Sequence, residues 1–233
     1  VTVYCQEEGV GDAYNSEWNG VDRVHIPVKS KGAIGTIVFD WKSIVHSLAT
    51  DGVVLTLGYN TAAFNVFYRI KGKINLINMD GIEWKRDKWK WYERVWLYLN
   101  ERLACLIGHH LIADHPEIKH HLVTRVASEK VTMIPYGARE VLCANIEELK
   151  KYDLDAGEYF IVIARPEPEN SILEIVRAFS SRQRNKKLVL LGHYNDENDY
   201  QKSVISSAGS EVVFLGAIYD HSDLDALRYY SAC

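Results

Sequence analysis

The run Ile74 to Met79 is a short apolar and β-branched stretch without polar alternation, the pattern of a strand buried on both faces. It turns at Asp80-Gly81 into Glu83, Trp84, Lys85 and Arg86. In open parallel sheets the ligand crevice lies outside the carboxyl ends of the strands. Asp80, Gly81, Glu83, Trp84, Lys85 and Arg86 are therefore site candidates. The competing reading is a common Asp-Gly turn leading to solvated cations packed on a tryptophan.

The same alternation recurs along the chain. Strand patterns at 1–5, 24–28, 53–57, 74–79, 110–113 and 131–134 are interleaved with helical patterns. In the first helix, Ile37, Val38, Trp41, Ile44, Val45 and Leu48 share a face. A short helix over 62–68 has Thr61 as its candidate cap. A long helix over 88–107 is expected to turn Tyr92, Trp96, Leu99, Leu103 and Leu106 to the sheet. Asp114 or His115 caps a helix opened by Pro116. Glu7 to Gly20 reads as a polar loop.

Periodicity weakens over 141–157, which reads as a linker with a short helix. Strands at 159–163, 187–191 and 211–215 then alternate with helices at 171–181, 199–207 and 223–230. The expectation is α/β, with two doubly wound parallel-sheet domains at 1–140 and 158–233. The strand at Val1 and the pattern broken off at Cys233 predict a fragment, with an opening strand, loop and helix before Val1.

The chain has 233 residues, a net charge of −4 and 47% hydrophobic content. That charge balance gives no indication of nucleic-acid binding. No apolar run reaches bilayer length and no signal peptide is visible, so a cytoplasmic protein is expected. Cys5, Cys105, Cys143 and Cys233 are scattered and predict reduced core thiols.

In the second half, Arg165 follows a strand, and Ser171 to Glu174 reads as a capping box. A guanidinium beside a helix N-terminus suits a diphosphate. The competing reading pairs Arg165 with Glu167 or Glu169. Asp153 with Asp155 and Asp223 with Asp225 fit caps or solvent-facing positions better than metal ligands. His109, His110, His115, His120 and His121 lack metal-site spacing, and no metal is expected. No Walker loop, no G-x-S-x-G elbow and no G-x-G-x-x-G is present.

NMDGIEWKR (78–86), LGYNT (57–61), IPYGA (134–138), ARPEPENSI (164–172) and FLGAIYD (214–220), in this order, resemble the bacterial rhamnosyltransferase-like branch of the family-four retaining glycosyltransferases. The resemblance implies a GT-B architecture of two Rossmann-like domains, with the acceptor on the first and the nucleotide-sugar on the second. It implies that Arg165, Asn170 and Gly192 bind the donor, with Asn170 standing where a lysine is usual. It places Asp80 near the transferred sugar, and Asn60 with the 80–86 loop on the acceptor side. It implies no cofactor beyond a nucleotide-diphospho-sugar donor, and a saccharide or lipid-linked acceptor.

A sugar-nucleotide epimerase and a non-catalytic nucleotide-sugar binding subunit are the alternatives. Trp84, Trp89 and Trp91 interleave with Lys85, Arg86, Lys88, Lys90 and Arg94. Such a patch suits an anionic membrane surface and a peripheral location, unless the tryptophans pack on the sheet and leave the cations in water.

Overall fold

The structure is a computed structural model and describes residues 1–86, 88–195 and 198–232; Cys233, one of the four expected thiols, lies outside them. It forms two compact units, Val1–Gly137 and Ala138–Cys233.

The first unit opens with β1 (Thr2–Glu8), β2 (Tyr14–Trp18) and β3 (Val21–Val28) in the order β1-β3-β2. β1 runs parallel to β3 and β2 antiparallel to it. The expected loop from Glu7 to Gly20 thus contains a strand. Its two-residue turn is Asn19-Gly20, both at positive φ (49° and 76°), the conformation that matches the twist of a tight hairpin. α1 (Gly32–Ser47) covers Val24, Ile26 and Val28 with Val38 and Phe39.

A second sheet joins β4 (Val54–Leu57), β5 (Asn75–Asn78), β6 (His110–Ala113) and β7 (Val131–Met133), all parallel and in chain order. Between them come a 3-10 turn at Ala62–Asn65, α2 (Val66–Ile70), a 3-10 turn at Glu83–Lys85, α3 (Trp91–Ile107) and α4 (Pro116–Val123). Ile77, Leu111 and Ala113 are wholly buried at its centre. Thr61 does not cap the helical turn after it; its hydroxyl donates to Asp40 Oδ2 at 2.6 Å. His115 does cap α4, its Nδ1 accepting the Glu117 amide at 3.2 Å.

α3 presents a different face from the one expected. It buries Leu97, Asn100, Glu101, Ala104 and Cys105 and leaves Tyr92, Trp96, Leu99 and Leu106 exposed. Two polar residues can face the core because each finds partners there. Asn100 Oδ1 accepts the Ala63 amide at 2.9 Å, and Glu101 is fully engaged as described below. Of the thiols, Cys105 is buried and pushed up to about 11 by desolvation, whereas Cys143 is exposed.

The second unit is built on β8 (Tyr159–Ile163), β9 (Lys187–Leu191) and β10 (Val212–Gly216), parallel in the order β10-β9-β8. α5 (Ile172–Ser180), α6 (Asp199–Ser206) and α7 (His221–Tyr229) surround it. β9 feeds two cores: Val189 and Leu191 pack with Tyr159 and Leu227, Leu188 and Leu190 with Ile172, Val176 and Val204. Coverage of both faces explains its unbroken apolar run. Within the expected linker, a 3-10 helix at Ile146–Tyr152 and Leu154 belong to this unit. Leu149 and Leu154 are buried beside Leu227. Asp223 accepts Lys151 Nζ and Tyr152 OH, both at 2.7 Å, which holds its carboxyl below the usual range.

Candidate functional site

In the first unit, β5 delivers Asn78, Met79 and the 80–90 loop. Gly81 takes φ +75°, which lets the chain fold back at Asp80-Gly81. From there much of the loop is committed to the protein itself. The Glu83 amide donates to Tyr59 OH at 2.7 Å, and burial there pushes the Tyr59 phenol well above its ordinary value. The buried Glu83 carboxylate accepts Arg86 Nη1 at 2.5 Å and Trp89 Nε1 at 3.2 Å. Trp84 Nε1 donates to Glu101 Oε2 at 2.7 Å, and its ring meets Tyr98 edge-on at 5.3 Å. Glu101, only 1% exposed, also accepts His121 Nε2 at 3.0 Å and lies 3.3 Å from Arg125 Nε.

Among the sequence candidates, Glu83, Trp84 and Arg86 thus form internal bonds, whereas Asn60, Asp80 and Lys85 are exposed. Asn60 and Asp80 stand just past the carboxyl ends of neighbouring parallel strands, β4 and β5. The Asn60 carbonyl accepts Trp96 Nε1 at 2.8 Å, leaving its side chain to the surface. Lys85 Nζ lies 5.4 Å from the centre of the Trp84 ring. Sequence reasoning passed over Asn78. Its Oδ1 is buried without a partner among the described residues, and its Nδ2 reaches the exposed Tyr136 hydroxyl at 3.5 Å.

The histidines disperse. His109 Nδ1 accepts the Asn75 amide, His110 meets the Thr132 hydroxyl and His121 meets Glu101. The signal for the Glu101 network was present in the sequence, as a carboxylate one helical turn from Leu97 and Cys105 on the same face.

In the second unit the sequence candidates cluster at the carboxyl edge of β8 and β9. Arg165 is exposed two residues after β8, and no ion pair of its guanidinium is found among the described residues. The turn that holds it is fixed by its own carbonyl, which accepts the Glu167 amide at 2.8 Å and Asn170 Nδ2 at 2.7 Å. Asn170 therefore shapes the turn. The expected capping box is not made. Ser171 sits in the left-handed region (φ 52°) with no side-chain cap, and Tyr200 OH instead accepts the Leu173 amide at 3.1 Å.

Gly192 ends β9 at φ +146°, and a Cβ there would lie 2.9 Å from the Ala164 carbonyl. Next to it, the Tyr194 hydroxyl is buried without a partner among the described residues, and burial pushes it up to about 12. Arg165, Gly192 and Tyr194 thus gather at one strand edge, a location where α/β folds bind anionic ligands.

No curated protein matches the sequence. Among solved structures, the chain is similar to a sucrose-phosphate synthase from Thermosynechococcus elongatus, with TM-score 0.75 and 14% identity over 99% of this chain and 63% of that one. It is similar to Anabaena HepE in complex with UDP and glucose, with TM-score 0.66 and 15% identity over 91% of this chain and 59% of that one. It is also similar to a UDP-N-acetylglucosamine 2-epimerase from Rickettsia bellii, with TM-score 0.59 and 16% identity over 88% and 56%. The chain spans about three fifths of these neighbours' length. The fold class is accordingly α/β with the Rossmann-like parallel sheets of GT-B glycosyltransferases. A family model matches residues 1–139, more than half of the chain, so the protein belongs to the family described as a domain of unknown function, DUF1972.

Proposed function

We propose that the protein is a retaining glycosyltransferase acting in bacterial cell-surface polysaccharide synthesis. It moves a sugar, rhamnose in the branch it resembles, from a nucleotide-diphospho-sugar to a saccharide or lipid-linked acceptor. The observation that carries this reading is Arg165, a cation free of ion pairs among the described residues at the carboxyl edge of a parallel sheet, beside a glycine with no room for a side chain. A folded neighbour of the same class holds UDP and glucose.

In the proposed reaction the bond from the anomeric carbon to the diphosphate oxygen breaks as the acceptor hydroxyl approaches the same face. The new carbon–oxygen bond forms through an oxocarbenium-like state, and the hydroxyl proton passes to the departing diphosphate. Arg165 stabilises the charge that builds on that diphosphate, and Gly192 lets the donor approach the backbone. Asp80 and Asn60 meet the sugar and acceptor. The chemistry asks for positioning and cationic stabilisation rather than a protein nucleophile.

The test is Arg165→Ala in the full-length protein. A charge-assisted contact made to a leaving group is worth a few kcal/mol, so turnover should fall by about a hundredfold or more. Asn170→Ala should cost less, because that amide already serves the turn. Unchanged turnover in Arg165→Ala would place the diphosphate elsewhere. The epimerase neighbour supports a second reading, an isomerised nucleotide-sugar as product. Product analysis separates the two, since transfer yields free nucleotide and a new glycoside; nucleotide-sugar binding without either product would mark a non-catalytic subunit.

The protein would work at the cytoplasmic face of the membrane, held peripherally. Trp91, Tyr92, Val95 and Leu99 stand exposed on α3 beside Lys88, Lys90 and Arg94, a pairing suited to an anionic headgroup boundary.

A further inference from the structure

The first sheet carries a polar constellation on the face turned away from α1. Successive side chains alternate across a strand, and Val24, Ile26 and Val28 pack under α1, so His25 points the other way. Tyr14 is the register partner of His25 on β2, and Ser16 stands two residues on, hence on the same face. Cys5 is the register partner of His25 on β1, which brings Glu7 to that face as well.

His25, with 12% of its side chain exposed, is held at both ring nitrogens. Nδ1 lies 2.7 Å from Glu7 Oε1, and Nε2 lies 2.7 Å from Ser16 Oγ. Glu7 also accepts Tyr14 OH, at 2.7 Å and 2.8 Å to its two oxygens. That hydrogen bond, more than any other influence, holds its carboxyl below the ordinary range. An ionised carboxylate only accepts, so Nδ1 carries the imidazole proton and Nε2 is left to accept from the Ser16 hydroxyl. The Tyr14 ring lies flat on the imidazole, with centroids 4.6 Å apart and 3° between planes, which fixes its orientation.

The edge position of β2 adds a donor. The Asp22 amide donates to the Val1 carbonyl at 3.0 Å, so Asp22 faces β1 while Val21 and Arg23 on either side of it face β2. Hydrogen-bonded and open pairs alternate along an antiparallel ladder, and Ser16 pairs with Arg23. The amide of Glu17, opposite Asp22, therefore points out of the sheet edge, one residue past Ser16.

We propose that Ser16, His25 and Glu7 form a serine esterase centre that cleaves short acyl esters. Ser16 Oγ attacks the acyl carbon while its proton passes to His25 Nε2, and the Glu17 amide supplies a donor for the oxygen that gains charge. The carbon–oxygen bond to the alcohol then breaks, and the alcohol leaves with the proton from His25. Water repeats the sequence on the acyl-serine, releasing a carboxylic acid and restoring the hydroxyl. Trp18, 61% exposed and two residues beyond Ser16 on the same face, suits an alcohol that carries a ring. The inference is independent of the glycosyltransferase reading.

The experiment treats the full-length protein with a fluorophosphonate and with p-nitrophenyl acetate. The phosphonate should bond to Ser16, located by peptide mass, and the acetate should give a stoichiometric burst of p-nitrophenolate. Help from a general base is worth about a hundredfold or more, so His25→Gln should slow labelling by at least that factor. Glu7→Gln should slow it less, because an amide oxygen still accepts from Nδ1. Ser16→Ala should abolish both label and burst while melting near the parent. No phosphonate on Ser16 of the folded parent, or equal labelling of the parent and His25→Gln, would leave these residues a cross-strand clasp and overturn the proposal.

Discussion

Glu101 joins three elements through one carboxylate, with Trp84 from the loop after β5, His121 from α4 and Arg125 just beyond α4. Removing one member of a buried ionic cluster leaves the others uncompensated, which typically costs about 3–5 kcal/mol. Glu101→Ala should lose about that much stability in urea unfolding, and Glu101→Gln less, since an amide still accepts from Trp84. Asp40 gives a pH signature. Burial raises its carboxyl above the ordinary value while Thr61 donates to it. An acid raised on folding favours the folded state at low pH, and that contribution is lost as pH climbs from the ordinary carboxylate value through the raised one. Asp40→Asn should therefore raise the melting temperature more at pH 7 than at pH 3. The face that buries Glu101 had a signal in the sequence, but the partners of Glu101 and Asp40 were not legible, because they lie about 20 residues away. Asp80 and Arg165 were legible as exposed residues just past strand ends, since strand position alone fixes where such residues emerge.

The strands and their alternation with helices could be read from apolar runs; element faces could not. α3 offered Tyr92, Trp96, Leu99 and Leu106 as an apolar stripe, yet it buries the side holding Asn100 and Glu101. A stripe counts apolar residues, whereas burial is decided by what the rest of the chain can bond. β2 was missed for a nearer reason, a polar sequence whose Asn19-Gly20 turn carried the hairpin signal. The outward stripe of α3 makes a membrane prediction. Trp84 and Trp89 bond inward, so docking would rest on Trp91, Tyr92, Val95 and Leu99. A Trp91→Ser, Val95→Ser, Leu99→Ser variant should sediment with anionic vesicles less than the parent does. A Lys88→Ser, Lys90→Ser variant should lose the part of binding that salt weakens. Equal sedimentation of parent and variants would remove this face from the mechanism.

At the scale of the whole molecule, the division at Gly137 coincides with a division in chromophores. Trp18, Trp41, Trp84, Trp89, Trp91 and Trp96 account for all six tryptophans, and every one belongs to the first unit. Emission excited at the red edge of absorption is therefore a private reporter of residues 1–137, whereas far-ultraviolet dichroism counts helices and strands from both units. Overlaying the two signals in urea measures whether the units unfold as one: coincident curves mean shared cooperativity, and an emission curve that departs from the dichroism curve means separate transitions. The same asymmetry serves ligand work. UDP held only by the second unit should leave tryptophan emission unmoved, so any spectral shift on adding it would report that the first unit has sensed the added nucleotide.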